Sequence, residues 1–260
     1  MAEFVDLEVK KEGVGLLTVH RPPLNVLNRQ VVIELGEAAV EVGRSPDIRA
    51  LVITGAERHF SAGADVAEFS SMSVSEVGQY GRELDRTFRG LAALPKVTIA
   101  AVNGYALGGG CELALTADFR FAGDRATFGQ PEIQLGIIPG AGGTQRLPRL
   151  VGPARAKDMI FSGRPVRAEE AAAIGLADAV FPADEVLEKA LEAAGRYARG
   201  PLVALAAAKL AVDRGAVGDP ETGLDLERSL FSMLFGTEDW RIGAASFLES
   251  GPGKATFVGR

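Results

Sequence analysis

Residues 97–122 read VTIAAVNGYALGGGCELALTADFRFA, and the rest of the chain is best understood outward from this stretch. Val97 to Val102 have the apolar, β-branched composition of a buried strand. They lead into a turn containing Gly108, Gly109 and Gly110, and the apolar run Leu113 to Ala117 predicts a short helix after it. Glycines between a strand and a helix let backbone approach a ligand closely and leave the first helical N–H groups free. Glu112 stands beside those groups. Twenty residues on, the stretch 128–147, FGQPEIQLGIIPGAGGTQRL, repeats the combination, with Glu132 just after Pro131 and before the turn formed by Pro139, Gly140, Ala141, Gly142 and Gly143. Two carboxylates at two such turns predict acid–base chemistry.

Upstream, residues 4–19 predict a β-hairpin: FVDLEV, a turn from Lys10 to Gly13, then VGLLTV. Helical spacing over 29–43 puts Val32, Leu35, Ala39 and Val42 on one face. ALVITG at 50–55 is a buried strand, and FSAGADVAEF at 60–69 a loop entering a helix. Ser73 with Glu76 has the pattern of a capping box for a helix that Pro95 ends near Leu94. Downstream come strands at Phe119 to Ala122 and before the second glycine turn. Beyond residue 150 the pattern is mainly helical: Ala154 to Phe161, Ala168 to Ile174, Ala183 to Arg199 and Pro201 to Arg214, with a short strand near Ala179. Strands alternating with helices predict an α/β fold. The alanine-rich end, with Leu230, Phe231, Leu234, Phe235 and Trp240, is apolar enough to pack on something outside itself.

Composition sets the outer limits. A chain of 260 residues with 47% hydrophobic and 24% charged residues is globular and long enough for a substantial core. Its net charge of −6 gives no overall attraction to nucleic acid or to an anionic membrane. No apolar run reaches the length needed to span a bilayer. One cysteine, Cys111, excludes an internal disulfide and a cysteine metal cluster, and it reads as a small packing residue. The N-terminal residues lack a basic n-region and an apolar h-region, so the expected location is the cytoplasm. His20 and His59 have no metal-ligand spacing, and no metal site is expected.

An ordered series of segments resembles the enoyl-CoA hydratase/isomerase (crotonase) superfamily along nearly the whole chain. The segments are HRPPLNVLN at 20–28, FSAGADVAEF at 60–69, AAVNGYALGGGCELALTADFRFA at 100–122 and FGQPEIQLGIIPGAGGTQRLPRLVG at 128–152. SGRPVRAEEAAAIGLADAVF at 162–181 and DWRIGAASFLE at 239–249 complete the series. The resemblance implies a crotonase-like ββα spiral core over 1–200, holding the CoA and catalytic site, and a C-terminal helical trimerisation region over 201–260. It implies a homo-oligomer, a trimer or a dimer of trimers.

The chemistry it implies is stabilisation of an acyl-CoA thioester enolate by two backbone N–H groups, here those of Ala64 and Gly109. Hydratases of the superfamily carry both glutamates, and both stand here as Glu112 and Glu132. The expected reaction is addition of water to a 2-enoyl-CoA, with Glu112 as base on water and Glu132 as proton donor to Cα. No cofactor is expected beyond the CoA of the substrate. Ala62, Ala64, Asp65, Val66 and Gly109 are the expected substrate-binding residues, with Asp65 also a helix N-cap. Arg21 and Leu24 fall near the implied CoA entrance. Two positions depart from the pattern: residue 67 is alanine where many hydratases have lysine, and Ser250 and Gly251 replace the basic pair usual in the tail. These departures bear on the CoA phosphate contacts and leave the acid–base pair intact.

The close alternative is a 3,2-enoyl-CoA isomerase, for which one glutamate suffices; a β-hydroxyacyl-CoA hydrolase is another. A dinucleotide-dependent dehydrogenase fails on spacing, because neither glycine cluster forms G-x-G-x-x-G. A non-catalytic CoA-binding or RNA-associated relative conflicts with the acidic balance and the paired glutamates.

Overall fold

A computed structural model describes residues 2–260. The chain opens with strands β1 (Val5–Val9) and β2 (Val14–Val19), an antiparallel hairpin in which Leu7 faces Leu17. Helix α1 (Arg29–Arg44) is capped by Asn28, whose side chain accepts from Val31 N, and it buries Val32, Leu35, Ala39 and Val42 as its spacing predicts. Strand β3 (Ala50–Gly55) is followed by the short α2 (Val66–Phe69) and the long α3 (Val74–Ala92), which begins with the predicted Ser73–Glu76 capping box.

Strand β4 (Val97–Val102) is buried at every position. After it the structure departs from the sequence expectation in two ways. A three-residue strand, β5 (Tyr105–Leu107), precedes the glycines, and helix α4 (Gly109–Ala114) begins at the second glycine instead of at Leu113. Gly108 is the N-cap, so Glu112 lies in the first helical turn. Strands β6 (Phe119–Gly123) and β7 (Thr127–Gly129) lead to a 3-10 turn at Pro131–Leu135. Helices α5 (Gly143–Val151) and α6 (Pro153–Ser162), strand β8 (Val166–Arg167), helix α7 (Ala168–Ala173), strand β9 (Ala179–Phe181) and helix α8 (Val186–Ala198) complete the core region. Helix α8 starts three residues later than expected, because residues 183–185 form a turn.

Six strands form one sheet in the order β1-β2-β3-β4-β6-β9, parallel from β2 onward. A smaller sheet, β5-β7-β8, is extended by single parallel bridges from Ser61 to Ala106 and from Leu27 to Ala64. The chain therefore visits the large sheet and then the small one in successive turns: β3 then Ser61, β4 then β5, β6 then β7. Helices cover the large sheet on both faces, so its central strands are apolar at successive positions, which alternate between the two sides. Leu16, Val52 and Ile99 stand in register toward α8, where they meet Ala190, Ala193 and Ala194. Their neighbours Leu17, Ile53 and Ala100 face the opposite way, into the main core with α1 and α3. Each fully buried Leu, Ile or Val stabilises the fold by about 1.5–3 kcal/mol.

Helices α9 (Leu202–Gly215), α10 (Pro220–Leu234) and α11 (Glu238–Ser250) form a C-terminal layer. Lys209 anchors it to the core, donating to the Asp118 carboxylate at 3.0 Å and to Lys96 O at 3.1 Å. No residue of α9 or α10 is buried, and Phe231, Met233, Phe247 and Leu248 are exposed. No helix among the described residues is long and apolar enough to cross a membrane.

Candidate active site

The site grows from a crossing of two backbone segments, residues 61–65 and the start of α4. Ser61 N donates to Tyr105 O at 2.8 Å and Leu107 N to Ser61 O at 3.0 Å, which ties the first segment to β5. The approach is so close that a Cβ on Gly110 would strike Ser61 O, and one on Gly63 (φ +98°) would lie 2.6 Å from Leu107 O. A Cβ on Gly109 would stand 3.6 Å from Ala64 N. The N–H groups of Ala64 and Gly109 are thus neighbours, and among the described residues neither donates to a protein acceptor. Two adjacent backbone donors without acceptors form a place for an anionic or strongly polarised oxygen.

Buried polar side chains hold the Ala64 loop in place. Asn25, at φ +51°, donates through Nδ2 to Ala56 O (3.0 Å) and His59 O (2.7 Å) and accepts from Arg21 N through Oδ1. Ser61 Oγ donates to Asn25 O at 2.7 Å and accepts from Gly63 N at 3.2 Å. Asp65 caps α2 and accepts from Arg21 Nη2 at 2.8 Å. Burial pushes the Asp65 carboxyl up, but Arg21 and the capping N–H groups outweigh it and hold it below its ordinary range. Arg21 is therefore occupied by Asp65 and Val26 O. Of the other expected binding residues, Ala62 N donates to Leu24 O at 2.9 Å, and Val66 lies exposed at the start of α2.

Glu112 is only 2% exposed. Its Oε1 accepts from Ala141 N and Gly143 N, each at 2.7 Å, so the second glycine turn wraps the carboxyl of the first. Burial raises its pKa, against the pull of the Gly143 and Ala141 N–H groups and of Arg146. Glu132, on the 3-10 turn, lies against the residue that caps α4: a Cβ on Gly108 would be 3.1 Å from Glu132 Oε1 and 4.0 Å from Gly63 Cα. Burial, with the charge of Glu112 adding to it, pushes Glu132 up to about 7. Gln130 is fully buried beside it, and with its amide turned to satisfy both ends, its nitrogen donates to Glu132 at 3.1 and 3.3 Å. A carboxyl at about 7 exchanges a proton readily near neutral pH.

The structure thus brings together Ala64, Gly109, Glu112 and Glu132. Asn25, Ser61, Gln130 and Arg146 join them, and sequence reading did not pick these out. Cys111 is fully buried, its thiol pushed up to about 12 by burial. His59 stacks on Tyr105 and accepts from its backbone N–H at 3.1 Å, away from the glutamates' hydrogen-bond partners.

The sequence model described as "Enoyl-CoA hydratase/isomerase" matches residues 9–258. This chain belongs to that family. A crotonyl-CoA hydratase of Syntrophomonas wolfei is 40% identical over 253 residues, 96% of each chain. A short-chain-enoyl-CoA hydratase of Clostridium acetobutylicum is 41% identical over 250 residues, 95% of this chain and 96% of that one. Among solved structures, an enoyl-CoA hydratase from Bacillus anthracis superimposes with a TM-score of 0.94 at 35% identity, covering 99% of this chain and all of its own. The two-sheet core with C-terminal helices is thus the fold of this family.

Proposed function

We propose that the protein is an enoyl-CoA hydratase that adds water across the 2,3 double bond of a 2-enoyl-CoA to give a 3-hydroxyacyl-CoA. The observation that carries the reading is the pair of acceptor-free N–H groups at Ala64 and Gly109, with the buried carboxyl of Glu112 and the half-buried one of Glu132 beside them. The thioester oxygen sits on the two N–H groups. Glu112 takes a proton from water as the water oxygen bonds to Cβ, and the electron pair of the double bond moves through Cα onto the thioester oxygen. Glu132 then delivers a proton to Cα and the thioester carbonyl reforms; loss of the proton from Glu112 and uptake of one by Glu132, by exchange with water, restore the starting state. Two donors at such an oxygen supply several kcal/mol, and losing one typically costs about 10²–10³-fold in rate. Relatives named as hydratases at 40 and 41% identity favour this reading over isomerisation. So does Glu112: double-bond migration needs one shuttling carboxyl, and a second one held by two N–H groups has a task only where water is activated.

Ala62, Asp65 and Val66 would border the acyl-CoA, which brings its own CoA, and no cofactor or metal takes part. Residues 1–200 form the catalytic core, and 201–260 join copies of the chain as a trimer or a pair of trimers in the cytoplasm. The test is loss of conjugated-enoyl ultraviolet absorbance from crotonyl-CoA and from a longer 2-enoyl-CoA. Wild type should convert at least one of them rapidly, and Glu112→Gln and Glu132→Gln should each be slower by orders of magnitude while remaining folded. Near wild-type turnover in either variant would remove the two-carboxylate mechanism.

A further inference from the structure

We infer that Arg146 is a positioning residue for Glu112: it fixes the loop that holds the carboxyl and keeps a positive charge beside it. This inference rests on the hydratase reading, in which Glu112 must be ionised to accept a proton from water.

The geometry runs through one residue, Ala141, and the two peptide groups that flank it. Arg146 Nη1 donates to Ala141 O at 2.8 Å, while the N–H of the same residue donates to Glu112 Oε1 at 2.7 Å. One end of Ala141 is held by the guanidinium and the other holds the carboxylate. Helix α5 provides the rest of the link, because Arg146 N donates to Gly142 O at 2.7 Å and Gly143 N is the second donor to Glu112. The guanidinium reaches the turn through Nη1. Gly142 has φ +107°, and a Cβ there would fall directly on Nη1 and 3.1 Å from Cζ. A side chain at 142 is excluded both by backbone conformation and by the arginine.

The charge needs its own account. Arg146 is half-buried, and among the described residues no carboxylate lies within ion-pair distance of it. A partly desolvated cation without a contacting anion is costly unless a nearby charge compensates it. From α3, Arg89 and Asp85 act on it with opposite signs, and they are paired with each other at 2.7 Å. The compensating charge is Glu112, and the influence is mutual: burial lowers the arginine's pKa and Glu112 raises it, while the arginine favours the ionised carboxyl. The other titratable groups near Glu112 are Glu132 and the neutral Cys111 thiol, and the charge of Glu112 disfavours the ionisation of both. Among the described residues, Arg146 is thus the cation that acts on the proposed base.

The experiment is the pH profile of kcat/KM for crotonyl-CoA hydration in wild type, Arg146→Gln and Arg146→Lys. The two carboxyls titrate as a coupled pair, so the quantity compared is the apparent midpoint of the acid limb. In Arg146→Gln the limb moves to higher pH, with kcat/KM down roughly ten-fold or more at pH 6 and much less at pH 8.5. Arg146→Lys keeps the charge but not the planar fork, and its limb lies between the other two. A uniform fall across the pH range, or no fall, in Arg146→Gln overturns the inference while leaving the hydratase reading intact. If Arg146→Gln does not fold, Arg146→Met removes the same charge, and an acid limb of that variant coincident with wild type overturns the inference. An inactive wild type, by contrast, removes the hydratase reading itself.

Discussion

Glu132 lies over Gly108 so closely that a single methyl group on the glycine would come within 3.1 Å of Oε1 and 3.7 Å of Cδ. Gly108 also has φ +51° and ψ −125°, a region that side chains with a Cβ rarely enter. Gly108→Ala therefore combines backbone strain, about 1–3 kcal/mol, with displacement of the proposed acid. The expected outcome is a loss of kcat of about 100-fold or more and a lower melting temperature, measured by the enoyl absorbance assay and by calorimetry. Gly81→Ala is the matched control. It sits in α3 with nothing within 4 Å of the new Cβ and should stabilise slightly without touching turnover.

The raised pKa of Glu132 has consequences with a definite sign. A carboxyl at about 7 in the folded chain against 4.5 when exposed holds its proton more tightly when folded. Between those values the native state binds more protons than the unfolded one, so stability falls as pH rises through this window. Glu132→Gln has no such dependence. It should melt a few degrees above wild type at pH 8, and the difference should vanish by pH 4. If Glu132 works protonated, the same group makes wild-type kcat/KM for hydration decline as pH rises through about 7. A wild type whose melting temperature relative to Glu132→Gln is flat with pH would contradict the burial argument.

Local signals account for what could be read in advance. The strands at 50–55 and 97–102, the α1 stripe and the Ser73 capping box each lie within a few residues of the features that specify them. Glu112 and Glu132 were legible for the same reason: each sits beside glycines and within a recognisable segment. What was illegible depends on distant partners. Strands β5 and β8 have three and two residues, and only their neighbours across the small sheet make them strands. The start of α4 at Gly109 follows from the Gly108 conformation and from Gly108 N donating to Gly129 O, a pairing with a segment twenty-one residues away. The bond from Ser61 to Asn25 spans thirty-six residues, and nothing local marks either residue as part of one clamp. Asn25 does carry a hint, since asparagine tolerates positive φ better than most residues.

That clamp yields its own prediction. The Ser61 hydroxyl is buried and bridges Asn25 O and Gly63 N, one residue before the Ala64 donor. Ser61→Ala leaves a buried carbonyl and a buried N–H unsatisfied, a cost of about 1–3 kcal/mol, and frees the Ala64 peptide to turn. The expected result is a ten-fold or larger fall in kcat with a smaller change in KM. A conjugated thioester such as cinnamoyl-CoA should also show a smaller red shift on binding than it does with wild type, because its carbonyl is less polarised. A full red shift with lowered stability alone would confine Ser61 to a structural role.

The C-terminal layer gives the last prediction. Its helices carry apolar side chains that the single chain leaves in water: Met233 is 71% exposed, Phe231 60%, Phe247 59% and Leu248 85%. Scattered exposed apolar residues are ordinary, but here they recur in a layer of three helices, α9 to α11, of which α9 and α10 bury no residue at all. Such a surface suits contact with other copies of the chain, whose burial of each large side chain contributes about 1.5–3 kcal/mol. Sedimentation should therefore give a mass three or six times 27.2 kDa. Met233→Glu with Leu248→Glu should shift it toward the single chain and lower the melting temperature, because a charge buried without a partner opposes association. A wild type that sediments as one chain at micromolar concentration would mean that this surface serves some purpose other than self-association.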